Sequence, residues 1–429
     1  VINNDPGTLI QGAGDADKRV ETVRDDLEAN ALYLSTDHAE ILLVSCDLGV
    51  LETDRVQRYK AQMAAAAEIA PEAIIIGCSH THSGPVVLHT HYLKPIDEAY
   101  GKRLQDRLCT VAEQAVRTAA ESSIGWGMGN ARLGYNRRVC YRDGSHSMYR
   151  KRGCDADFTG VEGPDDTACL ALAAFDGSNN VKAILHHGTG HPASFYGGTV
   201  LSADFPGVAR RLLREAYGSV PILFFNGALG DIAMHQQIHP QQTRSTPTSQ
   251  ITRLGSTLAG ETLRLIHEMQ PVHEVPLHHQ RTELTLPVRL PAPDAVAKGR
   301  KVLARIDAGE EIRGMDAIFA WGPVHLMDRF GDDPYERLAF HTFRIGDLAV
   351  ATHPFELFCQ YQLYIKRRSP YSNTAVFSLA DGYGGYLPTL AGALGGGYSG
   401  TPFAWARFAP EIGCRVVDHL AAMLHGVEP

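Results

Sequence analysis

Two imidazoles one residue apart carry the first chemical signal in this chain. His80 and His82 lie in Gly77-Cys78-Ser79-His80-Thr81-His82-Ser83-Gly84-Pro85, directly after the apolar, β-branched run Ala73-Ile74-Ile75-Ile76. Such a run is too short for a helix and fits a buried strand. A strand that runs into His-x-His and then a Gly-Pro breaker puts both rings on the loop past its carboxyl end, where α/β proteins carry reactive groups. Histidine is the commonest metal ligand, yet alternate residues of an extended chain point to opposite sides. One ring of the pair is therefore expected to bind a metal, and the other to act as acid, base or hydrogen-bond donor. Two loop histidines satisfied by backbone groups are the plainer alternative.

Further polar groups fall at similar addresses. His191 follows the apolar run 181–187, Asp231 follows 221–225, Glu356 follows 348–352, and Tyr386 follows 374–379. If those runs belong to one largely parallel sheet, the positions converge on a single edge. Two imidazoles and a carboxylate are a common catalytic zinc set that leaves a place for water, and zinc there acidifies water and polarises a carbonyl, the requirements of amide or ester hydrolysis. Each residue has a plainer role beside this one. His186 or His187 could replace His191, Glu356 could cap a helix, Asp231 could be a turn residue, and Tyr386 and Tyr398 could be packing aromatics.

The elements that must position these groups alternate between strand and helix. Ala31-Leu32-Tyr33-Leu34 and Ile41-Leu42-Leu43-Val44-Ser45-Cys46 read as a hairpin turning on Asp37-His38. A helix over 55–70 leads into the 73–78 strand, making a right-handed βαβ unit. Helices are expected over 96–121, 204–217 (Asp204 as cap and Pro206 in the first turn), 251–269, 294–308, 354–366 and 410–425. Strands are expected over 168–175, 181–187, 221–225, 281–290, 339–352 (two, turning at 345–348) and 374–379. The stretch before Pro334 reads as a loose Gly/Asp/Pro section. The predicted class is α/β: one large mixed, largely parallel sheet flanked by helices, in a single domain over 1–429.

Composition agrees. The chain has 429 residues, 44% hydrophobic and 21% charged, enough for a large core. A net charge of -8 with mixed signs argues against nucleic acid as the main partner, and no run approaches the about 18 apolar residues of a membrane span. The expected partner is a small-molecule substrate, with a homo-oligomer left open. Eight cysteines without a Cys-x-x-Cys pair read as mostly free thiols, although Cys140 and Cys154 could bridge a loop. Those thiols and the lack of a leader favour a cytoplasmic place; a trimmed start, the first residue being Val1, leaves export open.

In wording and order these segments resemble the neutral ceramidase family of zinc-dependent amidases, over nearly the whole chain. His80-Thr81-His82-Ser83-Gly84-Pro85 is similar to that family's His-Thr-His-Ser-Gly-Pro, whose first His binds zinc; Asn136-Arg137 to its substrate-contacting Asn-Arg; and His191-Pro192-Ala193-Ser194 to the segment of its second zinc His. Glu356 after Pro354 sits where the family has its zinc Glu. Tyr383-Gly384-Gly385-Tyr386-Leu387-Pro388-Thr389 resembles the segment whose second Tyr touches zinc, and Tyr398 keeps the interval to a second active-site Tyr. The resemblance implies Zn²⁺ on His80, His191, Glu356 and Tyr386, with His82 moving protons, Tyr398 and Arg137 at the oxyanion, and Asn136 and Asp231 near the substrate. Two departures stand out. Where the family carries a Ser after its Asn-x-Gly-Asp segment, Gly230-Asp231-Ile232-Ala233 carries Ala233, and the chain ends without room for the family's C-terminal immunoglobulin-like domain. An alanine neither attacks nor donates, so a smaller or more polar amide than long-chain ceramide is expected. An ester or lactone hydrolase, a metal-dependent lyase or isomerase, and a binding homologue are the alternatives.

Overall fold

The computed structural model describes residues 1–11, 18–88, 96–150, 155–239, 241 and 245–426. Cys154, and with it the Cys140–Cys154 pairing, lies outside them.

Three sheets form the centre. In the first, β1 (Ala29–Ser35) and β2 (Glu40–Cys46) make the expected antiparallel hairpin, and β3 (Ile74–Cys78) lies parallel to β2 across α1 (Thr53–Ala67). α2 (Glu98–Arg117) starts at Asp97, whose carboxylate accepts from the Tyr100 N–H. The second sheet comprises β4 (Ser123–Asn130), β5 (Ala168–Phe175), β6 (Val181–Gly188) and β7 (Ile222–Asn226), and α3 (Asp204–Tyr217) and α4 (Pro247–Glu268) cover it. The third comprises β8 (Leu277–Pro287), β9 (Tyr335–Ile345), β10 (Leu348–Thr352) and β11 (Asn373–Phe377), beneath α6 (Gly314–Phe330), α7 (Cys359–Arg368) and α8 (Glu411–Gly426), with α5 (Pro293–Asp307) packed on α6.

The expectation of one large, largely parallel sheet is corrected. Each sheet holds a single parallel pair, β2/β3, β6/β7 or β10/β11, and is otherwise antiparallel. Connection length is the reason: Asp176 to Asn180 closes a tight turn between β5 and β6, whereas a parallel return needs about a dozen residues. The inner faces of all three sheets share one apolar cluster, with Leu43 and Ile75 from the first, Leu172 and Phe225 from the second, and Phe343, Val350 and Phe377 from the third. Phe225 stacks on Phe377 at 4.5 Å, and Gly77 admits that ring, since a Cβ there would lie 2.5 Å from Phe225. Each such side chain contributes about 1.5–3 kcal/mol through burial.

Convergence survives in another form. The carboxyl ends of β3, β7 and β11 are stitched together by backbone: Cys78 N–H donates to Leu379 O (3.2 Å), Ser378 N–H to Asn226 O (2.8 Å) and Asp381 N–H to Ile76 O (2.9 Å). A buried polar knot locks the joint. The Asp381 carboxylate pairs with Lys60, takes a bond from His341 Nε2 at 2.8 Å and accepts the Ile76 N–H at 2.8 Å.

Two local expectations fail. The supposedly loose stretch before Pro334 contains α6, whose apolar side chains run nearly all round and whose Pro323 and Gly322 hide the helical period. Residues after Pro354 do not start a helix at once: Phe355–Leu357 is a short strand paired in parallel with Gly385–Leu387, and α7 begins at Cys359.

Candidate metal centre

His80 leaves the end of β3 with φ at +73°, a left-handed conformation that costs a non-glycine residue about 1 kcal/mol or more. That kink overturns the argument from extended chain. His80 and His82 face the same point, their Nε2 atoms 3.1 Å apart, and His82 Nε2 is 3.2 Å from His191 Nε2. Backbone contacts hold the segment: His80 N–H donates to Leu48 O and His82 N–H to Pro192 O, each at 2.9 Å. His186 and His187 are elsewhere, buried against Thr262 and the Val376 carbonyl, so His191 is the histidine of its segment that reaches the centre.

The second nitrogen of each ring fixes its state. His80 Nδ1 is 2.8 Å from Gly49 O and His191 Nδ1 is 3.1 Å from Leu229 O. A carbonyl only accepts, so each Nδ1 carries the proton and each Nε2 turns a lone pair to the centre. Burial first, and then neighbouring positive groups, push His82 down to about 3 and His191 well below the ordinary imidazole range. His82 and His191 are thus neutral imidazoles, and the Nε2 atoms of all three rings turn to one point.

Glu356 adds a fourth acceptor. Its Oε1 accepts from the Tyr383 hydroxyl at 2.7 Å, while Oε2, 3.2 Å from His80 Nε2, is buried with no hydrogen bond. Burial alone would raise this carboxyl, but the neighbouring His80 ring and the Tyr383 and Tyr386 hydroxyls hold it at about 2. Because it stands within a strand, the helix-cap role weighed for Glu356 falls away. Three imidazoles whose ligand nitrogens lie within 4.8 Å of one another, with an unbonded carboxylate oxygen beside His80, are a donor set suited to a borderline divalent cation such as zinc. The residues present fit one.

Across the ladder from Glu356 stands Tyr386, whose hydroxyl is 3.5 Å from that of Tyr398 and 3.2 Å from Arg137 Nη2. Burial pushes Tyr398 up to about 12, with Arg137 opposing the shift. Arg137 also donates to Gly230 O at 2.8 Å and to the Tyr149 hydroxyl at 3.3 Å. Asn136 and Asp231 lie behind it. The Asn136 amide donates to Asp231 Oδ2 at 2.7 Å, Asp231 Oδ1 accepts from Cys359 N–H at 2.7 Å, and Arg137 N–H donates to Asp231 O at 2.7 Å. Both residues are buried and spent on each other, and neither lines the cleft above the centre. The placement gives them the task of aiming Arg137.

That cleft, of about 670 Å³, is walled by Val50, Leu88, Met234, Met315, Ile318 and Trp405 on its apolar side, with Ala233 on its surface. Sequence reasoning passed over Tyr383, Tyr149 and the carbonyls of Gly49 and Leu229. Tyr383 stood within the quoted Tyr-Gly-Gly-Tyr segment, but backbone carbonyls carry no residue signature.

Comparison with solved structures gives two matches at a TM-score of 0.70. One is a ceramidase complexed with C2, 13% identical, spanning 100% of this chain and 75% of that one. The other is the neutral ceramidase from Pseudomonas aeruginosa, 14% identical, spanning 100% and 74%. The fold of this chain is that of the neutral ceramidases. No family model and no curated protein matches the sequence.

Proposed function

We propose that this chain is a zinc-dependent hydrolase of an amide (N-acyl) bond in a small or moderately polar substrate, and that residues 1–429 act as one catalytic unit. The observation that carries this reading is the meeting of His80, His82 and His191, whose ligand nitrogens lie within 4.8 Å of one another, with the buried, unbonded Glu356 Oε2 3.2 Å from His80 Nε2. His80, His191 and Glu356 hold the cation, with Tyr386 completing the set. The cation, when bound, acidifies water and polarises the scissile carbonyl.

The chain's own groups do the rest. His80 and His191 are anchored through Nδ1 on carbonyls, the arrangement that fixes a ligand's tautomer, whereas His82 Nδ1 is buried without a hydrogen-bond partner. An unanchored ring can take a proton and release it. His82 therefore accepts the proton from the attacking water and passes it to the leaving nitrogen as the C–N bond breaks and the C–O bond forms. Arg137 and the Tyr398 hydroxyl donate to the oxygen that gains charge. Ala233 contributes no hydroxyl, so no covalent acyl intermediate is assigned to that position.

Turnover of an N-acyl panel in heavy-oxygen water tests the reading. Incorporation of the label into the released acid supports hydrolysis; full turnover without label would replace the hydrolase with a lyase or isomerase using the same groups.

A further inference from the structure

Among the buried aspartates, Asp47 pairs with Arg210, Asp381 pairs with Lys60, and Asp231 holds the Asn136 amide behind Arg137. Asp204 holds a serine instead. It stands fully buried in the first turn of α3 with φ at +58°, a conformation in which a non-glycine residue persists where its surroundings impose it. Its Oδ2 accepts the Ser194 N–H at 2.8 Å, and its Oδ1 accepts the Ser194 hydroxyl at 3.2 Å and the Phe205 N–H at 2.8 Å.

Ser194 sits at the middle of a turn that touches His82 at both ends. His82 N–H donates to Pro192 O at 2.9 Å, the Tyr196 ring lies 5.7 Å from the His82 ring, and Tyr196 N–H closes the turn on Ala193 O at 3.2 Å. Half-buried, Ser194 lines the cleft with Ala233 and Met234, its Oγ 3.0 Å from Met234 Sδ. A carboxylate only accepts, so the hydroxyl proton lies toward Asp204 and Oγ keeps a lone pair for a further donor. Burial pushes the Asp204 carboxyl up to about 6 against the bonds from Phe205 and Ser194, so above that value it is the charged acceptor this arrangement needs.

The leaving nitrogen must come within reach of His82, which returns the proton to it, and therefore meets the turn packed on His82. In a secondary amide that nitrogen carries a hydrogen. A trans amide has its C=O and N–H on opposite sides, so a site that donates to the oxygen has use for an acceptor at the other end. Resting on the amidase reading, we propose that Ser194 Oγ accepts the N–H of the scissile bond and makes the site selective for secondary amides over esters. Asp204 is the positioning residue, because it keeps the hydroxyl proton turned away from the substrate.

Initial rates on the zinc-loaded protein test this with N-hexanoylbenzylamine and benzyl hexanoate, an amide and an ester of one shape. Ser194→Ala should lower the amide-to-ester ratio of kcat/KM about 3–10-fold, the size of one neutral hydrogen bond, while the variant keeps its zinc and its thermal midpoint. Ser194→Thr, which retains a hydroxyl, should recover most of that ratio. A ratio unchanged in Ser194→Ala, equal losses on both compounds included, or no recovery in Ser194→Thr, would overturn the proposal. For a compound that the native protein does not turn over, its dissociation constant by calorimetry replaces the rate. Tighter binding of the amide that Ser194→Ala removes, with no turnover of the amide, would leave this proposal standing and remove the amidase reading instead.

Discussion

Glu356 and Tyr386 are direct partners in the parallel ladder that joins Phe355–Leu357 to Gly385–Leu387. Carboxylate and phenol therefore leave neighbouring strands side by side, and the ladder that sets their spacing is only three residues long. What holds it is close packing from below.

Gly230 supplies that packing. A Cβ on Gly230 would lie 2.3 Å from Glu356 O, too close for backbone to accept. Gly230→Ala should cost about 1–3 kcal/mol, the usual price of overpacking, and should displace Glu356 enough to weaken zinc uptake. Chemical denaturation and zinc titration check this together; a variant that loses stability yet binds zinc as tightly as native protein would show that the ladder does not set the carboxylate.

Tyr383 orients Glu356 through its hydroxyl bond to Oε1. Loss of such an outer partner typically lowers metal affinity about 10–100-fold. Tyr383→Phe should do so with the fold intact, measured by competition with a chelator. Unchanged affinity would mean that the strand alone orients the carboxylate.

Arg137→Lys keeps the charge but loses the fork that reaches the Tyr149 hydroxyl through Nη1 and Gly230 O and the Tyr386 hydroxyl through Nη2. kcat/KM should fall by about 10²–10³, the range for loss of one oxyanion donor, mostly in kcat. A change confined to KM would instead assign Arg137 to ground-state binding.

Asp381 sets the acid limit of stability. Burial would raise its carboxyl, but Lys60 and His341 hold it well below the ordinary range. A folded-state pKa below the unfolded one stabilises above the unfolded value of about 3.9 and loses that contribution as pH falls beneath it. Asp381→Asn strands a buried Lys60 and should cost about 3–5 kcal/mol at neutral pH. The gap from native protein should narrow as pH drops below about 4; a gap independent of pH would exclude the ion pair as its source.

Much of this was legible from residue order. The β1/β2 hairpin, the βαβ unit and the strands ending near His191, Asp231 and Tyr386 follow from periodicity and breakers, and the site's address follows from where they end. Sheet number was not: three separate sheets stitched through Ser378, Cys78 and Asp381 depend on backbone bonds between distant segments. The left-handed turn at His80 was hidden because nothing in the residue type demands it. α6 was hidden because an all-round apolar helix shows no amphipathic period, and Asn136 and Asp231, expected near the substrate, gave no sign of their bond to each other because it spans 95 positions.

The central claim is that His80, His191 and Glu356 share one divalent cation. Anomalous diffraction at the zinc edge, from crystals of protein dialysed against zinc, tests it directly. A single peak is expected in bonding contact with His80 Nε2, His191 Nε2 and Glu356 Oε2, and absent from crystals of His80→Ala. Density without an anomalous peak there, or a peak that persists unchanged in His80→Ala, would contradict it.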